Sequence, residues 1–193
     1  DAAGADLAVG CTYKYLNGGP GAPAFLYVAD RHLADVRQPI AGWWSAADMF
    51  AMAATYEPAP SIRRMLSGTA NVMGITAVDE GVRVTAEAGI DAIRDKAAVL
   101  TDLCIELADA WLAPFGFEVV SPRDSKARGG HVSLRHDRAR EVTSAMVDAG
   151  VIPDFRNPDM IRLGLSPLTT SYAELWTAMD TVRGVAGRET LSG

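Results

Sequence analysis

The sequence predicts an α/β chain in two parts: the end of a larger α/β domain over residues 1–84, then a small α+β domain over residues 85–193. Three observations carry this reading. The first third holds short β-favouring apolar runs cut by Gly and Pro. From Ile90 to Trp111, apolar residues recur at steps of three and four, the period of one amphipathic helix face. After residue 85 the elements follow the order βα-ββ-α-β-α, which suits a small domain attached to the end of a larger one.

Leu7-Ala8-Val9-Gly10 reads as a buried strand and Ala24-Phe25-Leu26-Tyr27-Val28 as a second strand. Between them, Gly18-Gly19-Pro20-Gly21 can continue neither helix nor central strand. Pro39, Gly42-Trp43-Trp44, Pro58 and Pro60 mark an irregular segment that runs over a surface or lines a cleft. Helical signals start at Thr69, with Val72, Ile75, Val78 and Val82 in step. The next stripe is Ile90, Ile93, Ala97, Leu100, Cys104, Leu107 and Trp111, ended by Pro114 and Gly116. Residues 117–120 and 131–134 read as strands joined by a basic hairpin loop, 121–130. Asp137 is expected to cap a helix reaching Met146, with Gly150 as its left-handed stop. Residues 160–165 form a strand candidate with Arg162 in an apolar frame. Ser171 and Glu174 form a capping box for a last helix striped by Leu175, Met179 and Val182.

Composition excludes several classes. Apolar residues make up 49% of the 193, too many for a disordered chain. The net charge of −6 is wrong for a protein that neutralises phosphate backbones. No apolar run approaches the roughly 20 residues of a membrane span. Cys11 and Cys104 cannot make a disulfide framework or a zinc motif, so a reduced, cytoplasmic setting is expected. His32, His131 and His136 show no metal spacing, and His131 reads as a satisfied structural histidine. Cys11 reads as a packing residue beside the Lys14 loop, and Cys104 as core.

Lys14 follows a strand, precedes a glycine turn and has a Tyr on each side. A lysine used in covalent catalysis must be partly withdrawn from water, so that a neutral amine can attack a carbonyl. The plain alternative is a solvated surface lysine. Tyr13 is either a donor beside it or a core-edge tyrosine. Trp43 and Trp44 read as packing residues unless an indole N–H meets an anion. Thr69 is either an anion ligand at a helix start or only an N-cap. Arg162 in an apolar strand needs a partner, since a buried unpaired guanidinium is costly. Asp154 or Asp159 would satisfy it internally, and a ligand carboxylate is the other choice.

Residues 6–21, Asp6-Leu7-Ala8-Val9-Gly10-Cys11-Thr12-Tyr13-Lys14-Tyr15-Leu16-Asn17-Gly18-Gly19-Pro20-Gly21, resemble the cofactor-lysine segment of the kynureninase family. Gly42-Trp43-Trp44, Ser67-Gly68-Thr69, Arg128-Gly129-Gly130-His131-Val132-Ser133 and Arg162-Leu163-Gly164-Leu165-Ser166-Pro167-Leu168 resemble further elements of that family, in its order. The resemblance implies the aspartate-aminotransferase-like fold (fold type I) and pyridoxal 5'-phosphate (PLP) as cofactor. It implies that Lys14 bonds to the cofactor aldehyde and moves the substrate α-proton. Tyr13, Trp43 and Thr69 would serve the cofactor phosphate, with Tyr13 also a catalytic residue taking part in proton transfer, and Arg162 would grip the substrate carboxylate through two parallel bonds. The implied reaction is hydrolysis of L-kynurenine, with 3-hydroxykynurenine as a second candidate substrate, to anthranilate and L-alanine in tryptophan catabolism and NAD biosynthesis.

Trp44 stands where the family has Phe. The upstream sequence that in this fold supplies the partner of the pyridine nitrogen and the ring-stacking aromatic is not in these residues. Opening at Asp1, the chain is expected to be the C-terminal half of a subunit that works as a homodimer. It is expected to bind PLP weakly alone and to need its N-terminal half. Trp43 and Thr69 would serve their own or the neighbouring subunit's phosphate. Two rivals are another fold type I enzyme, a cysteine desulfurase or aminotransferase, and a catalytically silent dimerisation fragment.

Overall fold

The computed structural model describes residues 3–191. The chain divides into two compact units, Asp1–Glu87 and Ala88–Gly193. In the first, β1 (Leu7–Gly10) pairs antiparallel with β2 (Phe25–Val28). The strands lie where the apolar runs place them, but β1 is not the buried strand expected. Leu7 and Val9 are 58% and 78% exposed. A two-stranded ribbon has no third layer to cover both faces, and this unit supplies none.

Residues 30–71 contain only single 3-10 turns, at Asp30–His32, Trp43–Ser45 and Ile62–Met65. Arginines hold this segment by its backbone. Arg63 donates to the Trp44 carbonyl at 2.7 Å and the Ala47 carbonyl at 3.1 Å, and Arg64 to those of Ala59 at 2.8 Å and Ala34 at 2.9 Å. Helix α1 (Val72–Ala88) follows. Its cap is Asn71, whose Oδ1 accepts from the Gly74 N–H at 3.0 Å, and Thr69 lies outside the helix. The stripe of α1 stays mostly uncovered in this unit, with Val72, Ile75 and Val82 exposed.

The second unit is a four-stranded antiparallel sheet with helices packed on one face. Its strands are β3 (Glu118–Val119), β4 (His131–Arg135), β5 (Asp154–Arg156) and β6 (Met160–Gly164), in the order β3-β4-β6-β5. Helices α2 (Ile90–Leu107), α3 (Ala139–Asp148) and α4 (Tyr172–Leu191) complete it. Strand β5 is absent from the sequence reading, because three residues, Asp-Phe-Arg, are too few to show a period. The order is therefore α-ββ-α-ββ-α. The α2 stripe packs as expected from Ile93 to Leu107, whereas Ile90 is exposed. The helix gives way to a π turn at Ala108–Leu112 and a 3-10 turn at Ala113–Phe115, and Gly116 at φ 89° ends it. Asp137 does not cap α3: Arg138 occupies the N-cap position, and its N–H donates to His136 Nδ1 at 3.0 Å. Leu100, Leu112, Val132, Leu134, Met146, Ile161 and Met179 form the core.

The two thiols differ. Cys104 is buried on α2, and burial pushes its pKa up to about 12, with nearby Arg128 opposing the shift. Cys11 is exposed, not the packing residue expected. A thiol reagent at pH 8 should therefore titrate one fast equivalent per native chain, at Cys11, and the second only in denaturant.

The capping box forms as read. The Ser171 N–H donates to Glu174 Oε2 at 2.7 Å, and the Glu174 N–H to Ser171 Oγ at 3.1 Å. The Ser171 backbone bond chiefly holds the Glu174 carboxyl below its ordinary 4.5. A carboxylate depressed in the folded state adds stability above its unfolded pKa and loses it as pH falls through the folded value. Glu174→Gln should therefore flatten the acid limb of stability against pH below about 4.5, as read by helix circular dichroism.

Candidate functional site

Lys14 stands at the apex of a loop closed by backbone bonds. The Gly18 N–H donates to the Thr12 carbonyl at 3.0 Å and the Asn17 N–H to the Lys14 carbonyl at 2.9 Å. Thr12, buried, anchors the loop start through its hydroxyl to the Pro23 carbonyl. Asn17 at φ 57° and Gly19 at φ 74° turn the chain back, as the turn-formers led one to expect. The Lys14 amine lies 5.1 Å from the centroid of the Tyr13 ring. Lys14 is exposed, so the expected withdrawal from water is not met within this unit.

Two glycines shape this loop, and sequence reasoning missed one of them, Gly81. A Cβ on Gly81, buried on α1, would stand 2.1 Å from the Leu16 carbonyl oxygen. The backbone just after Lys14 therefore lies directly on the helix. The only sequence signal for it was a glycine inside a helical run. A Cβ on Gly18, in the expected turn, would meet Val78 at 2.8 Å.

The Gly-Trp-Trp and Ser-Gly-Thr segments come together. A Cβ on Gly42 would stand 2.0 Å from the Ser67 carbonyl oxygen. Gln38 Nε2 donates to the Met65 carbonyl at 2.6 Å and to Ser67 Oγ at 3.2 Å, and Ser67 donates to the Ile40 carbonyl at 3.0 Å. Asn71 Nδ2 ties the start of α1 to the Gly21 carbonyl at 2.9 Å, on the turn that follows Lys14. Trp43 is 48% exposed and walls a hollow of ≈ 460 Å³ with Ala46, Met52 and Tyr56. Thr69 is exposed. The Trp44 indole N–H is buried with no hydrogen-bond partner among the described residues. One unit thus carries an amine, a phenol, an indole N–H and a hydroxyl, all on loop or single-turn positions. An amine of this kind can bond to an aldehyde, and the other three can donate to an anion.

Arg162 belongs to the second unit. Ile161 and Leu163 point into the core, and Arg162 lies on the sheet face that this unit's helices leave open. Directly opposite it in the register stand Ser133 on β4 and Asp154 on β5. Its guanidinium Nη2 donates to Asp154 Oδ2, so the internal partner weighed from the sequence is Asp154 and not Asp159. Asp159 pairs with Arg135 at 3.3 Å. The Arg162 guanidinium, then Arg156, holds the Asp154 carboxyl below the usual range.

His131, read from the sequence as a satisfied structural histidine, starts β4 on the same open face and is exposed. Arg128 of the basic loop is the buried one. It donates to Thr101 Oγ1 at 2.9 Å, to the Pro122 carbonyl at 3.0 Å and to the Arg123 carbonyl at 2.6 Å, and it pairs with Asp102. It pins the hairpin to α2. No group of three or more His, Cys, Asp or Glu able to hold a metal ion occurs among the described residues. No described helix is long and apolar enough to cross a membrane.

A family model described as the kynureninase C-terminal domain matches residues 93–182. A curated kynureninase from Deinococcus radiodurans is 42% identical over 183 residues, 95% of this chain and 45% of that protein. The chain spans about half the length of the curated relatives it matches. Among solved structures, a cysteine desulfurase from Thermococcus onnurineus NA1 superposes with a TM-score of 0.79 at 18% identity, over 95% of this chain and 48% of that one. A C-DES variant with glycine covalently linked to its PLP cofactor gives a TM-score of 0.67 at 15% identity, over 84% of this chain and 43% of that one. These likenesses establish the fold type I architecture for this chain.

Proposed function

Because this chain carries a kynureninase C-terminal domain in a sequence matching the C-terminal half of kynureninases, we propose that the whole protein hydrolyses L-kynurenine to anthranilate and L-alanine with PLP. One observation carries the reading: 42% identity to a kynureninase across nearly the full chain, against 18% to the desulfurase of like fold. In this reading residues 1–84 end the cofactor-binding domain and residues 85–193 form the small domain. The working form is a homodimer of complete subunits in a reducing, cytoplasmic compartment, where the exposed Cys11 stays a thiol.

When bound, PLP would supply an electron sink for the electron pairs released as the α-proton leaves and the bond between the β-carbon and the side-chain ketone carbon breaks. The chain's own residues supply binding and proton movement. Lys14 would hold the cofactor through its amine and, as a free amine, would carry the substrate α-proton on its Nζ. Tyr13 donates its phenol O–H to the cofactor phosphate, Trp43 its indole N–H and Thr69 its hydroxyl. Arg162 grips the α-carboxylate and so aims the scissile side chain.

The test is direct. The full-length protein should release fluorescent anthranilate from L-kynurenine, and borohydride should fix a pyridoxyl group on the Lys14 peptide. Turnover of cysteine or of an amino-group acceptor, with no anthranilate, would refute the reading.

A further inference from the structure

We propose that Asp154 is a positioning residue that aims Arg162 at the substrate carboxylate; this rests on the reading of Arg162 given above. One cross-strand cluster carries the proposal. Asp154 and Arg162 face each other in the β5–β6 register, so their side chains rise from the same open side of the sheet. One carboxylate oxygen, Asp154 Oδ2, accepts from both Arg162 and Arg156, the latter with Nη2 at 2.9 Å and Nε at 3.1 Å.

Two consequences follow from the geometry. Only the Nη2 end of Arg162 is engaged, and its other N–H groups make no hydrogen bond among the described residues. A guanidinium carries five donors in a rigid fork, so pinning one end fixes where the other prongs point. The trio of two guanidiniums and one carboxylate keeps one positive charge, which a second carboxylate neutralises. The sheet face thus holds an oriented, half-filled carboxylate site.

Asp154 could act in two opposed ways, and they differ in sign. As a mere counter-charge, its removal would strengthen anion binding by Coulomb attraction. As a positioning residue, its removal lets the long arginine swing and weakens binding. The probe is the des-amino analogue of kynurenine, which keeps the carboxylate but cannot bond to the cofactor, titrated calorimetrically into full-length holoenzyme. Asp154→Asn should raise its Kd on the order of tenfold, and the loss in catalysis should fall on KM rather than kcat. Asp154→Glu keeps the charge, stands in if the Asn variant misfolds, and should recover most of the affinity. In an Arg162→Gln background, Asp154→Asn should add no further loss. Unchanged or tighter binding by Asp154→Asn, with Arg162→Gln weakened, overturns the positioning role alone. Full affinity in Arg162→Gln overturns the carboxylate reading beneath it.

Discussion

Lys14→Ala in the full-length protein is expected to abolish kynurenine turnover, lowering kcat by at least about 10³-fold. On the proposed reading the substitution removes two functions at once, the amine that would hold the aldehyde and the base that would carry the α-proton. The borohydride adduct and the absorption band of the lysine-bound cofactor should vanish with activity. Lys14→Arg separates charge from chemistry. It keeps a cation on the same closed loop but cannot bond reversibly to an aldehyde, so it should fail as completely as Ala. Activity retained in either variant would remove the central residue from the reading.

Gly81→Ala is the second large effect, and its sign is informative. Helix propensity alone favours Ala over Gly by about 1 kcal/mol in a helix interior. The added methyl, however, would stand 2.1 Å from the Leu16 carbonyl oxygen, an obstacle made of backbone. Either α1 or the loop after Lys14 must move. Overpacking of this kind costs about 2–3 kcal/mol, which outweighs the propensity gain. The variant should melt earlier than the parent and form the borohydride adduct more slowly, because the displaced loop carries the amine. A stabilised variant with an unchanged adduct rate would show that the contact is not maintained in solution.

The parts that the sequence made legible share a physical cause. Period and punctuation act locally, so the α2 stripe, the Ser171–Glu174 box and the turn at Gly19 could be read from neighbours along the chain. Contacts distant in sequence could not. Nothing in Asp154-Phe155-Arg156 announces a strand, because its partner, β6, creates it. The roles of Gly42 and Gly81 exist only against Ser67 and Leu16, carbonyls 25 and 65 residues away in numbering. Arg128 gave no local sign that it, among several basic residues of its loop, would be the buried one. For the candidate site, residue chemistry raised Lys14 and Arg162 as candidates, and the resemblance gave them their roles together with Tyr13, Trp43 and Thr69. The structure supplied what neither could, the choice of Asp154 over Asp159 and the pairing of the Gly-Trp and Ser-Gly-Thr segments.

The β1–β2 ribbon has a consequence for handling these 193 residues. Among the described residues no third strand pairs with it, and Leu7, Val9 and Phe25 stand exposed on it. A bare hydrophobic rim is a template for intermolecular strand addition, which molecules manage by covering it. Produced by itself, the polypeptide is therefore expected to clump during refolding, more so than in any assembly where this rim is covered.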